Sequence, residues 1–388
     1  MQFRWHPAAR IVDAGGVLHG AGGGQGGALD DRPAVAALQA AMGAPGFRIG
    51  APEAPVPEPG PEPGALPVFE TLSGGTSGAP KRIRRSQASW IASFGVNARL
   101  LGLGGPAAVL GRLVHSLALY GAVETLHLGG VLHLLEGMRP DRQRRALAAR
   151  GVEVLYATPA QLRLLADGAG PDLPALRLIL VGGSKLDPGL RQALAGFTGA
   201  RVVEFYGAAE ASFIAIADET TPPDSVGRPY PGVEIRSTPE GIALRSPYLA
   251  EGYAGPVGGA VWRDGWLHLD EFVRIEGDCL YPLGRASRMV KVADQAVYPE
   301  EVEAALLALP GIVRAAVLPV ADPLRGCVLV AAVMGDQAQE AAVLAALRAR
   351  LGPLKAPRRL HWRADWPLLP SGKSDLARLA RELPGAPG

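Results

Sequence analysis

Three segments of this chain carry residues that could bind phosphate groups. SGGTSGAPK at 73–81 combines hydroxyls and a lysine with glycines, whose backbone can approach a ligand closely. EFYGAAE at 204–210 brings a tyrosine and two carboxylates, and LPSGKSDLARL at 369–379 places a lysine between glycine and serine. Neither lysine sits in a Walker loop, because Lys81 follows a proline and Gly372 lacks the upstream glycine of that motif. The pattern therefore predicts phosphate contacts of a different class from those of P-loop enzymes.

Composition favours a globular protein of more than one domain. The 388 residues exceed one ordinary core, 48% of them are hydrophobic, and the formal net charge is only +2. Basic residues are spread along the chain without a stripe of interleaved aromatics, so nucleic acid is not an expected partner. Cys279 and Cys327 match no metal-ligand spacing, and we predict buried thiols in the reducing cytoplasm.

The longest apolar stretch covers 113–135. Glu124 and three histidines interrupt it, so it predicts a buried pair of helices and no membrane span.

Patterning divides the chain into three regions. Residues 1–66 form a reduced, Gly/Pro-rich region with one short helix at 33–42, and this region could dock on the rest or trail loosely. Residues 67–284 alternate continuous apolar strands with helices, which is typical of a mainly parallel sheet covered on both faces. The strands are predicted at 176–183 and 201–207, the helices at 159–167 and 188–196, and a β-rich subdomain at 222–269.

Residues 285–388 predict a small second domain. Pro299 begins a helix with two glutamates in its first turn. The later elements are predicted as strands at 312–320 and 327–334 and a helix at 338–351. Such a unit is large enough to fold around a core of its own.

The order of these segments, with DGWLHLD at 264–270 and GRASRMVK at 284–291 between them, resembles the adenylate-forming ligase superfamily. That superfamily includes acyl- and aryl-CoA ligases, luciferases and peptide-synthetase adenylation domains, and the resemblance covers roughly 68–379. It implies an α/β fold with a large layered N-terminal domain, a β-rich subdomain and a small α+β C-terminal lid that rotates.

The resemblance also implies roles for individual residues. Tyr206 matches the tyrosine that stacks on adenine, Asp270 the ribose-binding aspartate, and Arg285 the arginine that assists it. Glu210 matches the Mg²⁺ ligand, with Thr76 beside it, and Lys373 matches the lysine that bridges the acyl carboxylate and the α-phosphate. The remaining implied positions are the phosphate loop (Ser73, Gly74, Gly75, Thr76, Ser77, Gly78, Lys81), the adenine-edge loop (Gly183, Ser184), the acyl pocket (His115, Gly182, Ala208, Ala211) and the hinge (Ser287, Arg288).

Charge neutralisation explains why such residues are needed. A carboxylate that attacks the α-phosphate brings like charges together, so positioning and electrostatic stabilisation carry most of the catalysis. Mg²⁺ at Glu210 and the ammonium group of Lys373 would supply that stabilisation.

Several positions depart from the family pattern. Ala209 stands where threonine is usual, Leu269 replaces the usual glycine, and Ser287 and Arg288 occupy positions that are commonly acidic. Asp294 replaces the glycine of the loop that lines the thiol tunnel, which restricts the backbone and adds negative charge near the acceptor. Adenylation is therefore the better supported half-reaction.

We predict an ATP-dependent ligase for a small carboxylic acid, which forms an acyl-adenylate, releases pyrophosphate and transfers the acyl group to CoA. The segment 113–121 lacks the aspartate that pairs with an α-amine in amino-acid-activating domains, so a simple acid is favoured. Two alternatives stay open. One is transfer to a carrier-protein phosphopantetheine or an amine, and the other is a degenerate, non-catalytic adenylate-binding protein.

Overall fold

The structure is a computed structural model that describes residues 1–51, 56–62, 64–73, 81–255, 258–293, 295–323, 325–369 and 374–383. Short 3₁₀ helices lie at Ala286–Arg288 and Gln337–Gln339. The α-helices are α1 (Ala34–Ala41), α2 (Gln87–Leu101), α3 (Ser116–Leu128), α4 (Pro140–Ala149), α5 (Pro159–Asp167), α6 (Pro188–Ala195), α7 (Pro299–Leu307), α8 (Glu340–Leu351) and α9 (Leu376–Glu382).

The strands fall into several sheets along the chain. The first group is β1 (Arg10–Val12), β2 (Leu18–His19), β3 (Gly27–Ala28), β4 (Gly46–Arg48), β5 (Val68–Ser73), β6 (Lys81–Ser86), β7 (Ala107–Val109), β8 (Val131–Leu134), β9 (Val154–Ala157), β10 (Leu178–Gly182), β11 (Arg201–Ala208), β12 (Ser212–Ala217) and β13 (Arg228–Pro229). The second group is β14 (Glu234–Thr238), β15 (Gly241–Arg245), β16 (Gly252–Tyr253), β17 (Val261–Arg263), β18 (Trp266–Leu269), β19 (Glu271–Glu276), β20 (Cys279–Arg285), β21 (Val290–Val292), β22 (Gln295–Val297), β23 (Ile312–Asp322), β24 (Gly326–Gly335) and β25 (Leu360–Trp362).

The largest sheet has nine strands within the described residues, in the order β13-β12-β11-β10-β9-β7-β8-β1-β2. Its central strands are parallel, and alternate residues of β10 reach opposite faces. Leu178 and Leu180 join the core under α2 and α3, whereas Ile179 and Val181 join the core under α4, α5 and α6. This arrangement confirms the predicted α/β sheet covered on both faces.

The helices that cover this sheet begin where the sequence predicts. Pro159 opens α5, and Thr158 and Gln161 form a capping box that satisfies backbone donors at its first turn. Pro188 opens α6, where the Asp187 side chain accepts from the Leu190 amide at 2.8 Å. Proline at the first helical position and a polar cap before it are therefore sufficient to fix both starts.

The described residues of 1–66 dock on the rest of the fold. Strand β1 pairs in parallel with β8 of the large sheet, and β4 pairs in parallel with β5 of a five-stranded sheet ordered β16-β6-β5-β4-β3. Phe3 is fully buried, with its ring 5.2 Å from that of Phe69 and 6.0 Å from that of Phe94. Burial of one large aromatic side chain contributes roughly 2–3 kcal/mol, which holds the N-terminus against α2.

The stretch 113–135 corrects one prediction. It contains a single helix, α3, followed by β8, and not a pair of helices. Gly129, in the left-handed conformation, ends the helix, and a strand of four residues follows almost at once. Among the described helices, none combines the length and apolar character needed to cross a membrane.

The region after residue 222 is rich in β-structure, as predicted, with β14, β15, β18 and β17 in a four-stranded sheet. The C-terminal unit packs α7 and α8 against β23, β24 and β25 around a separate core. The helix at 299 and both long strands are confirmed. The domain boundaries after residues 66 and 284 stay predictions.

Candidate active site

The candidate site lies at the carboxyl edge of the large sheet. Parallel strands β7, β9, β10 and β11 all end there, which is where ligands bind in open α/β sheets. The hairpin of β5 and β6 reaches the same edge, because Leu72 forms a β-bridge with His115 after β7. Ser73 pairs with Lys81 at the end of that hairpin, so the stem of the predicted phosphate loop is beside the sheet edge.

The turn after β11 has a tightly constrained backbone. A Cβ at Gly207 would lie 2.0 Å from the Ser212 carbonyl oxygen, so only glycine fits there. Ser212 itself has a positive φ of 64°, a conformation that costs a non-glycine residue energy and is common at functional sites. The amide of Ala250 donates to the Glu210 carbonyl at 2.8 Å and fixes the middle of the turn.

A fully buried arginine stabilises this turn from the neighbouring sheet. Arg85 on β6 donates to the carbonyl oxygens of Ala209, at 2.5 Å, and Tyr248. Burial lowers the pKa of Arg85 to about 9, while the negative charge of Glu210 acts in the opposite direction. The guanidinium group is therefore a cation at neutral pH that lies close to the predicted metal ligand.

Glu210 belongs to a hydrogen-bonded cluster. The Tyr253 phenol donates to Glu210 Oε1 at 2.7 Å, and the Tyr253 ring centroid is 6.0 Å from Lys81 Nζ. Burial and the bond to Glu210 raise the pKa of Tyr253 to about 12. This cluster joins the turn after β11 to the stem of the predicted phosphate loop.

Tyr206 belongs to a second cluster. Its phenol donates to Glu271 Oε2, and burial together with that carboxylate raises the pKa of Tyr206 well above its ordinary value. Arg285 donates to Glu271 Oε1 through Nε at 3.1 Å and through its terminal nitrogen at 2.7 Å. Two side chains, from β11 and the end of β20, thus donate to one carboxylate on β19.

The carboxylate at the centre of this cluster is Glu271, the neighbour of the predicted ribose-binding Asp270. The Asp270 side chain is exposed, and its backbone carbonyl accepts from the Ala286 amide at 2.8 Å. Strand β18 ends at Leu269 and β19 begins at Glu271, so Asp270 lies at the bend between two strands.

The predicted acyl pocket residues lie on both sides of the β10 end. His115 precedes α3 at the surface, and partial desolvation of its ring together with the positive charge of Arg112 lowers its pKa, so the ring is neutral at neutral pH. A Cβ at Gly182 would lie 3.6 Å from a Leu117 methyl group, so Leu117 packs over this glycine.

The small residues after β11 and β10 differ in exposure. Ala208 is half-buried at the end of β11, and Ala211 is fully buried in the core with Ile242. Gly183 has a φ of 99° and, like Ser184, is exposed at the end of β10.

The predicted hinge is tied to the C-terminal unit. Arg288 donates to both carboxylate oxygens of Glu303, at 3.1 and 2.8 Å, and to the Val317 carbonyl at 3.0 Å. Ser287 is exposed in the 3₁₀ helix before it. Arg285, three residues earlier, is bonded to Glu271 instead, so the two arginines have different carboxylate partners.

Some predicted residues lie outside the described part of the chain. They are Gly74, Gly75, Thr76, Ser77, Gly78, Asp294 and Lys373. Within the described part, no cluster of three or more His, Cys, Asp or Glu side chains could hold a metal ion. Mg²⁺ carried by nucleotide phosphates needs only one or two protein carboxylates, and Glu210, one of whose oxygens takes the Tyr253 hydrogen bond, fits that requirement.

Sequence reasoning missed three residues of the two clusters. Glu271 follows directly after the recognised DGWLHLD segment, but its contacts with Tyr206 and Arg285 are not visible in the sequence. Tyr253 and Arg85 carry weaker signals. Each lies in a short strand, and the local sequence does not specify which distant residues these strands pair with. Their roles follow only from the contact between β6, β16 and the turn after β11.

Comparison with known proteins identifies the family. The chain matches the AMP-binding enzyme family over residues 26–251 and the AMP-binding enzyme C-terminal domain over residues 301–373. It is 31% identical over 336 residues to an uncharacterised acyl-CoA ligase of Bacillus subtilis, covering 82% of this chain and 69% of that protein. It is also 31% identical to a probable 2-succinylbenzoate–CoA ligase of Mycobacterium tuberculosis, covering 83% of this chain and 88% of that protein.

A solved structure extends the likeness over more of the chain. The amide bond synthetase of Marinactinospora thermotolerans superposes with a TM-score of 0.69 and 25% identity, covering 96% of this chain and 79% of that one. Both family regions occur in the expected order, and the predicted superfamily is confirmed. The chain belongs to the AMP-binding enzyme family of adenylate-forming acyl- and aryl-CoA ligases.

Proposed function

We propose that the protein is an ATP-dependent ligase for a small carboxylic acid. The acid's carboxylate oxygen attacks the α-phosphorus of ATP, the bond from that phosphorus to the oxygen bridging to the β-phosphate breaks, and pyrophosphate leaves. The sulfur of CoA then attacks the acyl carbon, the bond from that carbon to the phosphate oxygen breaks, and AMP leaves. One observation carries the proposal: the Glu210–Tyr253 and Tyr206–Glu271–Arg285 clusters meet the carboxyl edge of the sheet beside the loop stem.

The Tyr206 cluster would bind the nucleoside end of ATP. A carboxylate that accepts from two donors in the free protein is oriented before ligand arrives, and ribose hydroxyls can then donate to its remaining lone pairs. We assign this position to Glu271, with Arg285 holding it. Tyr206 would lie along the adenine ring, and Gly183 and Ser184 along the adenine edge.

The Glu210 cluster would bind the phosphate end. Ser73 and Lys81 flank the loop, and the assignments of Gly74, Gly75, Thr76, Ser77 and Gly78 to phosphate contacts rest on the family resemblance. Glu210, with Thr76, would hold Mg²⁺, which when bound neutralises charge on the phosphates. Lys81 and Arg85 add fixed positive charge at the same end.

Lys373 would neutralise the charge that develops when the acid and the α-phosphate meet. The acid would lie between neutral His115 and the small residues Gly182, Ala208 and Ala211. A neutral imidazole and a leucine packed over Gly182 favour a compact acid without an α-amine.

An amine is the second candidate acceptor. Similarity to an amide bond synthetase across 96% of the chain supports it, and so does the negative charge of Asp294 in the segment assigned to the thiol tunnel. A carrier-protein phosphopantetheine would present the same thiol chemistry as CoA on a larger partner.

Acid-dependent exchange of labelled pyrophosphate into ATP tests the first half-reaction. Aromatic, short-chain and long-chain acids are compared, first alone and then with CoA or an amine present. Lys373→Ala should lower exchange by on the order of 10²–10³, whereas Lys355→Ala, which removes a lysine bonded to Glu301 at 2.7 Å in the same unit, should not. ATP binding without exchange for any acid would support the non-catalytic alternative and contradict the ligase.

A further inference from the structure

The Tyr253 hydroxyl has all of its hydrogen-bonding capacity assigned. The amides of Gly259 and Ala260 donate to its oxygen at 3.2 and 3.1 Å. Both of these partners are donors, so the single phenol hydrogen is left for Glu210 Oε1, 2.7 Å away. The direction of the Tyr253–Glu210 bond is therefore fixed by the backbone around it.

The ring of Tyr253 is fixed as well. It meets the Trp262 ring edge to face at 5.4 Å between centroids, and a Cβ at Gly258 would lie 2.4 Å from the Tyr253 ring. Strand β16 pairs Tyr253 with Ile83 on β6, two residues beyond Lys81. The phenol is thus attached to the strand that leaves the predicted phosphate loop.

The backbone of Glu210 is fixed independently of Tyr253. The Ala250 amide bonds its carbonyl, and Arg85 bonds the carbonyl of Ala209 before it. What these contacts leave undetermined is the rotation of the carboxylate. Within the described residues, the side-chain hydrogen bond to Glu210 comes from Tyr253 alone.

We propose that Tyr253 is a positioning residue that orients Glu210 for the metal ion of the nucleotide. By holding Oε1, the phenol directs Oε2 toward the end of the hairpin where the phosphates would lie, and it keeps the carboxylate in one rotamer before Mg·ATP binds. This role rests on the proposed function of Glu210. Groups that orient a metal ligand in this way commonly contribute 10- to 100-fold, as an order of magnitude, to metal affinity or activity.

Tyr253→Phe removes the hydroxyl and keeps the ring contacts with Trp262 and Lys81. We expect the Mg²⁺ concentration for half-maximal pyrophosphate exchange to rise on the order of 10-fold, with a smaller change at saturating Mg²⁺. In calorimetric titrations without acid, ATP affinity should fall in the variant when Mg²⁺ is present and match the wild type in EDTA.

Tyr248→Phe is the matched control. It removes a buried phenol that donates to the Pro231 carbonyl at 2.6 Å in the same region. This variant should lower the midpoint of thermal unfolding and leave the Mg²⁺ response unchanged. If both variants shift the Mg²⁺ response equally, or if Tyr253→Phe shifts it by less than about twofold, Tyr253 has only a structural role.

A second variant keeps the test valid if Tyr253→Phe does not fold. Glu210→Asp keeps the carboxylate but withdraws it from the phenol by one methylene, and it should reproduce the loss of Mg·ATP affinity. Calorimetry needs no turnover, so an inactive wild type that binds Mg·ATP would contradict the ligase reaction and leave the Tyr253 test intact. Mg·ATP affinity unchanged in Glu210→Asp would overturn the positioning role.

Discussion

A carboxylate in the core under the large sheet gives a quantitative test of the electrostatics. Glu124 on α3 is fully buried, and it accepts hydrogen bonds from Asn97 at 2.9 Å, Tyr120 at 3.0 Å and Tyr156 at 2.6 Å. Burial raises its pKa from an ordinary 4.5 to about 7, although the three bonds act in the opposite direction. At neutral pH about half of this site is therefore protonated in the folded protein.

The sign of the effect follows from linkage. The folded state binds the proton more tightly than the unfolded state, so stability is highest below pH 4.5 and falls as pH rises toward about 7. A shift from 4.5 to about 7 corresponds to a loss of about 3 kcal/mol across that range. Glu124→Gln carries no charge and can keep amide hydrogen bonds to the same neighbours, so it should lack this loss.

Urea unfolding followed by tryptophan fluorescence measures the difference. Trp90 reports on this part of the core, because its ring centroid is 5.0 Å from that of Tyr120. Relative to wild type, Glu124→Gln should gain about 3 kcal/mol in free energy of unfolding between about pH 4.5 and about pH 8. Other titrating groups cancel in the comparison between the two proteins.

A second variant checks the cause of the shift. Tyr156→Phe removes the donor to Glu124 Oε2 without adding charge, so its destabilisation should be larger above the pKa of Glu124 than below it. The reasoning would be refuted if the difference in free energy of unfolding between wild type and Glu124→Gln were the same at about pH 4.5 and about pH 8. Glu124 would then ionise in the folded protein as it does in the unfolded chain.

Two further predictions concern the candidate site. Glu271→Gln should raise the KM for ATP by on the order of 10-fold, because it removes a charged acceptor worth about 1.4 kcal/mol or more. Asp270→Asn, at an exposed side chain, should leave this KM near the wild-type value. Equal effects of the two substitutions in steady-state kinetics would contradict the assignment. Gly207→Ala should abolish pyrophosphate exchange and lower the midpoint of thermal unfolding, because its Cβ would lie 2.0 Å from the Ser212 carbonyl oxygen. An unchanged midpoint in the variant would show that the turn can open at little cost.

Much of the layered fold could be predicted from local signals. Continuous apolar runs gave β10 and β11, and proline at the first helical position gave α5 and α6. The docking of the first 66 residues could not be predicted, because β1 and β4 are three residues long and acquire their partners only in the folded sheets. Short strands carry too few residues for a period-two pattern to stand out.

The candidate site shows the same division between local and distant signals. Tyr206 and Glu210 lie in one recognisable segment, and the structure places Tyr206 near the end of β11 and Glu210 on the turn that follows. The motif points to Asp270, whereas the hydrogen bonds of Tyr206 and Arg285 bring its neighbour Glu271 into the cluster. Arg85 and Tyr253 depend on pairing between β6 and β16, which are more than 160 residues apart in their closest contacts.

The Glu210 and Glu271 clusters differ in the parts of the protein to which they are bonded. Ala250 bonds the Glu210 carbonyl, Tyr253 bonds its carboxylate, and Arg85 bonds the carbonyl of Ala209 before it. Glu271 is held by Arg285, and three residues later Arg288 is bonded to Glu303 and Val317 in the C-terminal unit. Occupation of the proposed nucleoside end would therefore act on a residue three positions before the predicted hinge residue Arg288, whereas occupation of the proposed phosphate end would act on a turn held by backbone hydrogen bonds. Loss of the Glu271–Arg285 bond should consequently disturb both nucleotide affinity and the position of the C-terminal unit, while loss of the Tyr253 bond should disturb the metal alone.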